Sequence, residues 1–221
     1  MNPTNDLKAW QQRAQAQTEL LLERFLPSEG EIPHTLHEAM RYAALDGGKR
    51  LRPMLVLAAS ELGEAVHKAV EQAMAAIEMI HAYSLVHDDM PAMDNDSLRR
   101  GKPTCHVKYG EATALLVGDA LQTQAFDVLA RPAGLPAARQ LAMLSVLAKA
   151  GGSRGMAGGQ AIDLANVGKQ MAQTDLEQMH SLKTGALIRA SVLLGAMSCP
   201  TLSENSLAVL DHYAATLGLA F

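Results

Sequence analysis

Aromatic residues are scarce: they make up 4% of 221 residues, with a single tryptophan. A β-sandwich or barrel draws on aromatic and β-branched side chains, so an all-β fold is disfavoured. Cysteine is scarcer still. Cys105 and Cys199 cannot build a disulfide framework, and a reducing cytoplasm suits them. No apolar run approaches the ~18 residues that read as a membrane span. The opening Met1-Asn2-Pro3-Thr4-Asn5-Asp6 lacks the basic and apolar regions of a secretion signal. Positive charge is not in excess either. The net charge is −4 and the pI near 6.0, which argues against binding nucleic acid by charge alone.

What is present is apolar and helix-forming. Hydrophobic residues reach 48%, and 12 methionines accompany abundant alanine and leucine. No fixed repeat period is evident. Helices are predicted over 4–26, with Leu7, Trp10, Ala14, Leu20, Leu21 and Phe25 on a helical period, and over 34–46, stopped by Gly47-Gly48. Others are predicted over 53–62 behind Pro53, 65–90 before Pro91, 111–130, 136–149, 156–166, 174–197 and from 202. No charge run or Pro/Ser-rich linker divides residues 1–221, so one all-α domain is expected.

The densest chemical signal is His81 to Arg100, with Asp88, Asp89, Asp94 and Asp96 within nine positions. Carboxylates so close repel one another. Such oxygen donors suit Mg²⁺, which takes a few carboxylates together with phosphate oxygens. On a continuous helix Asp88 and Asp94 would lie ~120° apart. They can share a metal only if the backbone leaves the helix between them, and Pro91 is placed to cause that. Arg99 and Arg100 follow, and cations beside clustered acids suggest a polyanionic ligand held by both. A solvated helix end is the alternative. His81 lies ~20° from Asp88 on the helical wheel and can face the same space.

A second basic segment is Gly47-Gly48-Lys49-Arg50-Leu51-Arg52-Pro53. Glycine permits close backbone approach to an anion, and Lys49 and Arg52 can converge on a phosphate. A plain helix C-cap with terminal cations is the competing explanation. The third segment is Lys183-Thr184-Gly185. Polar groups facing inward among Leu182, Leu187 and Ile188 are costly without a ligand, and a mid-helix Gly185 suggests close approach or a kink. Gln160 and Asp163 are weaker candidates.

A rival pattern is Glu-x-x-His, at Glu64/His67, Glu78/His81 and Glu177/His180. A di-iron bundle also needs a bare glutamate on two further helices, and the stretches 112–130 and 136–149 within the fifth and sixth contain none.

Asp88-Asp89-Met90-Pro91-Ala92-Met93-Asp94 resembles the first aspartate-rich motif of the trans-isoprenyl diphosphate synthases. The basic segments around Gly47 and Asp96-Ser97-Leu98-Arg99-Arg100-Gly101, and then Lys183-Thr184-Gly185, match further motifs of that family in the same order. The resemblance implies an isoprenoid-synthase-type helical bundle around a central cavity. It implies that Asp88, Asp89 and Asp94 serve Mg²⁺ bridging an allylic diphosphate (dimethylallyl or geranyl). Arg99, Lys183 and Thr184 would touch that diphosphate, with Gln160 near the substrate. Lys49, Arg52, His81 and Arg100 would bind isopentenyl diphosphate. Tyr83, five residues before Asp88, would floor the cavity and stop the product near farnesyl length. The resemblance also implies a homodimer, and the cysteine usage and composition point to a cytoplasmic protein. A non-catalytic diphosphate-binding subunit and a class I terpene synthase are the alternatives; the second diphosphate site disfavours the latter.

Relatives in this family place a second aspartate-rich motif where this sequence reaches Gly218-Leu219-Ala220-Phe221. A truncated chain with crippled turnover and exposed apolar surface is therefore expected.

Overall fold

The computed structural model describes residues 3–45 and 47–220. Met1, Asn2, Asp46 and Phe221 lie outside the described residues. So do the expectations that rest on them: the first two residues of the N-terminal reading, the last residue of the second predicted helix and the last residue of the C-terminal reading. Eleven α-helices are described: α1 Pro3–Phe25, α2 His34–Ala44, α3 Leu51–Ser60, α4 His67–Asp88, α5 Cys105–Tyr109, α6 Glu111–Ala130, α7 Ala137–Gly151, α8 Met156–Ala165, α9 Gln173–His180, α10 Ala186–Met197 and α11 Glu204–Ala220. A two-stranded hairpin, β1 Leu98–Arg99 and β2 Lys102–Pro103, separates α4 from α5. The all-α expectation holds, and none of the described helices is long and apolar enough to cross a membrane.

The chain forms two compact units. One comprises the chain up to Met54 with Met74–Val128; the other comprises Leu55–Ala73 with the chain from Leu129. In the first unit, α1 buries Ala14, Thr18, Leu21 and Leu22, the i, i+4, i+7, i+8 stripe of an amphipathic helix. Leu7 and Leu20, expected on that stripe, face outward at 56% and 66% exposure. From Met74 to Ile80 every side chain of α4 is buried, including Glu78, so this stretch is core on all sides rather than on one stripe.

Three expectations need correction. Helix α2 stops at Ala44, capped by Leu45, whose N–H donates to the Arg41 carbonyl, so Gly47 and Gly48 lie beyond the cap. Helix α3 begins at Leu51, with Pro53 inside its first turn, where a missing N–H leaves no hydrogen bond unmade. The predicted helix 174–197 is broken into α9, a π-helical turn over Ser181–Gly185, and α10. All of this last segment lies in the second unit. There α10 meets α3 so closely that a Cβ on Gly195 would sit 2.1 Å from the Val56 carbonyl oxygen. A Cβ on Gly218 of α11 would likewise come within 2.7 Å of the Gly185 Cα. The close approach suspected at Gly185 is therefore present.

Candidate active site

In the first unit, α4 ends at Asp88 and the chain turns sharply. The N–H of Asp94 donates to the Asp88 carbonyl at 2.8 Å, and those of Met93 and Asn95 to Met90 at 2.9 and 3.1 Å. Pro91 has no N–H to continue the helix. The backbone thus departs from the helix between Asp88 and Asp94 and carries both residues on one turn. Asp89 goes elsewhere. It is buried, and its carboxylate accepts from Arg99 Nε at 2.9 and 2.8 Å and also from Arg99 Nη2. That hydrogen bond raises the Arg99 pKa above its ordinary value.

Among the described residues, no three His, Cys, Asp or Glu side chains converge on a metal position. The donor chemistry nevertheless fits Mg²⁺. This ion keeps several waters or phosphate oxygens and needs only one or two protein carboxylates, which Asp88 and Asp94 can supply.

Arg99 and Arg100 sit on the hairpin. Leu98 pairs with Pro103 and Arg99 with Lys102, leaving Arg100-Gly101 as a two-residue turn with φ of 53° and 77°. Two left-handed residues in succession are the signature of a type I′ turn, whose twist matches the flanking strands. The Tyr42 hydroxyl donates to the Pro103 carbonyl at 2.8 Å, which fixes the hairpin against α2, and Lys108 of α5 lies 3.9 Å above the Tyr42 ring. The Arg100 guanidinium then lies against Gly47 and Gly48. A Cβ at either would come within 2.5 or 2.6 Å of its Nη1. The glycines are needed for this close approach, and Gly48 also has a φ of 83°.

Behind them Arg50 is buried at a φ of 51° and held by three acceptors: Glu19 (2.7 Å from Nε), Glu78 (2.7 Å from Nη1) and the Ala44 carbonyl (2.7 Å from Nη2). Glu78 is therefore the counter-ion of Arg50. Burial lowers the Arg52 pKa, and the Arg52 Nε is buried without a hydrogen-bond partner. An unsatisfied buried donor calls for an acceptor from outside the chain. Burial, and then the charges of Arg52, Arg100, Arg50 and Arg99, hold His81 well below its usual pKa, so it stays neutral among four cations. Lys49 is exposed, and its carbonyl accepts from Gln15 Nε2 at 3.1 Å. Tyr83 is buried on α4.

The second unit carries its own cluster. Lys183 and Thr184, both half-buried, sit on the π-helical turn. Such turns often mark functional positions. Lys183 Nζ donates to Asp163 at 2.6 Å, so its charge is met by an acid one helix away. Gly159 of α8 makes this contact possible, since a Cβ there would lie 2.2 Å from the Lys183 backbone nitrogen. Both ends of the Gln160 amide are buried without partners.

The first unit carries the acidic turn and the arginine hairpin, the second the polar π-helical turn, and the all-α fold is of the isoprenoid-synthase type. Two solved structures share the fold. The chain is 42% identical to an FPP/GFPP synthase from Zymomonas mobilis (TM-score 0.92, covering 98% of this chain and 78% of that one). It is 40% identical to a geranyltransferase from Legionella pneumophila (TM-score 0.92, 99% and 77%). The chain belongs to the polyprenyl synthetase family, which it matches over residues 33–221. It is 54% identical over 187 residues to the farnesyl diphosphate synthase of Escherichia coli K12, covering 83% of this chain and 62% of the relative. Against the farnesyl diphosphate synthase of Haemophilus influenzae it is 46% identical over 210 residues, 93% and 71% respectively. The chain thus spans less than two thirds of the length of the first of these relatives.

Sequence reasoning missed Arg50, Glu78 and Glu19, the buried ion pairs that hold the basic loop. The available signal was an acid, Glu78, inside the otherwise apolar run Met74–Ile80. It also missed the hairpin, although the Gly101 after Arg100 was a turn signal.

Proposed function

We propose that this chain binds isopentenyl diphosphate and an allylic diphosphate and joins them head to tail, giving farnesyl diphosphate. The observation that carries the reading lies in the first unit. A cluster of cations around neutral His81, with the buried Arg52 Nε unpartnered, lies within the same compact unit as an acidic turn suited to a hard metal ion. One diphosphate needs no metal there; the other does.

Asp88 and Asp94 are the proposed Mg²⁺ ligands, and the bound ion supplies charge neutralisation at the leaving diphosphate. Asp89 is proposed to orient Arg99 rather than to hold the metal. Arg99 donates to the allylic diphosphate as its C–O bond breaks and the electron pair leaves with oxygen; Lys183 and Thr184, in the second unit, are proposed as diphosphate donors. Gln160, also in the second unit, is proposed to present its unpartnered amide to substrate. Lys49, Arg52, His81 and Arg100 hold isopentenyl diphosphate, whose double bond attacks the allylic carbon. The proton then lost passes to the departing diphosphate, and no protein base is assigned. Tyr83 stops chain growth near fifteen carbons. The proposal treats residues 1–221 as one functional domain acting as a cytoplasmic homodimer.

The test is incorporation of labelled isopentenyl diphosphate into an acid-labile prenyl product with geranyl diphosphate and Mg²⁺. Product that disappears in Asp88→Ala supports the reading. Product that persists at saturating Mg²⁺ refutes the role of Asp88. Sedimentation checks the dimer.

A further inference from the structure

Tyr83 does not stand alone on α4. Its ring meets that of His87, one turn later, edge to face, with centroids 5.8 Å apart and an interplanar angle of 78°. Burial raises the Tyr83 pKa, and the Gln122 side chain on α6 lowers it, so Gln122 lies near the Tyr83 hydroxyl. His87 Nε2 in turn donates to the Leu115 carbonyl of α6 at 3.0 Å. Its ring fills the space beside Gly118, where a Cβ would lie 1.9 Å from Nε2. Gly118 and Gln122 are four residues apart on α6, as Tyr83 and His87 are on α4, so each pair lies on one helix face. The result is an interlock in which His87, bonded to Leu115 and seated beside Gly118, grips the tyrosine at its ring, with Gln122 on the same face of α6 as Gly118.

Plain helix packing would need only an apolar contact here. A polar ring seated on a bare backbone, bonded to a carbonyl and stacked on a second polar ring, restricts Tyr83 much more tightly. Resting on the reading of Tyr83 as the cavity stop, we propose that His87 and Gly118 determine specificity. They lock the Tyr83 ring in place and so set the length of prenyl chain the protein accepts. His87 is a positioning residue and touches no reacting atom.

The test measures the affinities of the non-hydrolysable thiolodiphosphates of geraniol, farnesol and geranylgeraniol by calorimetry in Mg²⁺, for which turnover is not needed. The unmodified chain should bind the twenty-carbon ligand at least about tenfold more weakly than the fifteen-carbon one, the discrimination a packed pocket gives against added bulk. His87→Ala and Gly118→Ala should both collapse that ratio to about threefold or less, with ten-carbon affinity kept within about twofold. Gly118→Ala matters because alanine is the better helix former, so it ejects the His87 ring while favouring α6. A ratio unchanged in both variants but lost in Tyr83→Ala overturns the interlock and leaves the tyrosine reading intact. A ratio unchanged in Tyr83→Ala, or no binding of any ligand to the unmodified chain, overturns that reading and the interlock together.

Discussion

Asp89 and Arg99 are bound to each other: both carboxylate oxygens face the guanidinium, with Asp89 almost fully enclosed at 4% side-chain exposure and Arg99 at 34%. The second aspartate of an acidic motif is thus turned into the protein, while Asp88 and Asp94 share the turn outside it. Asp89→Ala should lower stability by about 2 kcal/mol, the scale of a lost charge-assisted hydrogen bond, seen as a shift in urea midpoint. Asp89→Asn should move the Mg²⁺ concentration for half-maximal ligand binding less than Asp88→Asn does. The reverse order would make Asp89 a metal ligand.

Arg50 anchors the basic loop through Glu78, itself buried. Removing one partner of a buried pair leaves an uncompensated charge and costs about 3–5 kcal/mol. Arg50→Ala should therefore unfold at markedly lower denaturant. Arg50→Gly, although it suits the left-handed φ, should not rescue it. Chemical denaturation of both variants decides the matter.

His81 gives a pH signature. The folded chain holds it neutral, while the unfolded chain protonates it near the ordinary value of 6.5. Below that pH the unfolded state binds the extra proton, so folding stability falls as the pH drops from about 6.5. His81→Gln removes this contribution. Unfolding free energies from pH 7.5 to 5 should fall less steeply in the variant than in the unmodified chain, and parallel curves would contradict the assignment.

Gly47→Ala sets a methyl group 2.5 Å from Arg100 Nη1. The guanidinium must swing away, and loss of one such contact is expected to weaken isopentenyl diphosphate binding by about tenfold. Gly48→Ala should do the same and also lose about 1 kcal/mol of stability from its positive φ. Titration calorimetry with the isopentenyl ligand reads both.

Much of this was legible in the chain. The span of α6 could be read from apolar spacing and the Pro132 that follows, because punctuation and propensity agreed. The departure at Pro91 was readable because a missing N–H has one local consequence. Leu20 failed because a helical stripe has two possible centres, and Thr18, satisfied by the Ala14 carbonyl at 2.8 Å, took the buried place. The π-helical turn was hidden because its cause is tertiary: Gly159 and Gly218 press on it from neighbouring helices. Arg50 was hidden because nothing local separates it from Lys49 and Arg52. Only the fold brings Glu19 and Glu78 to it.

The central claim is that two diphosphates are recognised differently, one through Mg²⁺ and one through bare cations. Titration calorimetry with isopentenyl and dimethylallyl thiolodiphosphates, each in Mg²⁺ and in EDTA, tests it most directly. Isopentenyl binding should survive EDTA and fail in Arg100→Ala, while dimethylallyl binding should require Mg²⁺ and fail in Asp88→Ala. Equal metal dependence of the two ligands, or indifference to both substitutions, would contradict the account.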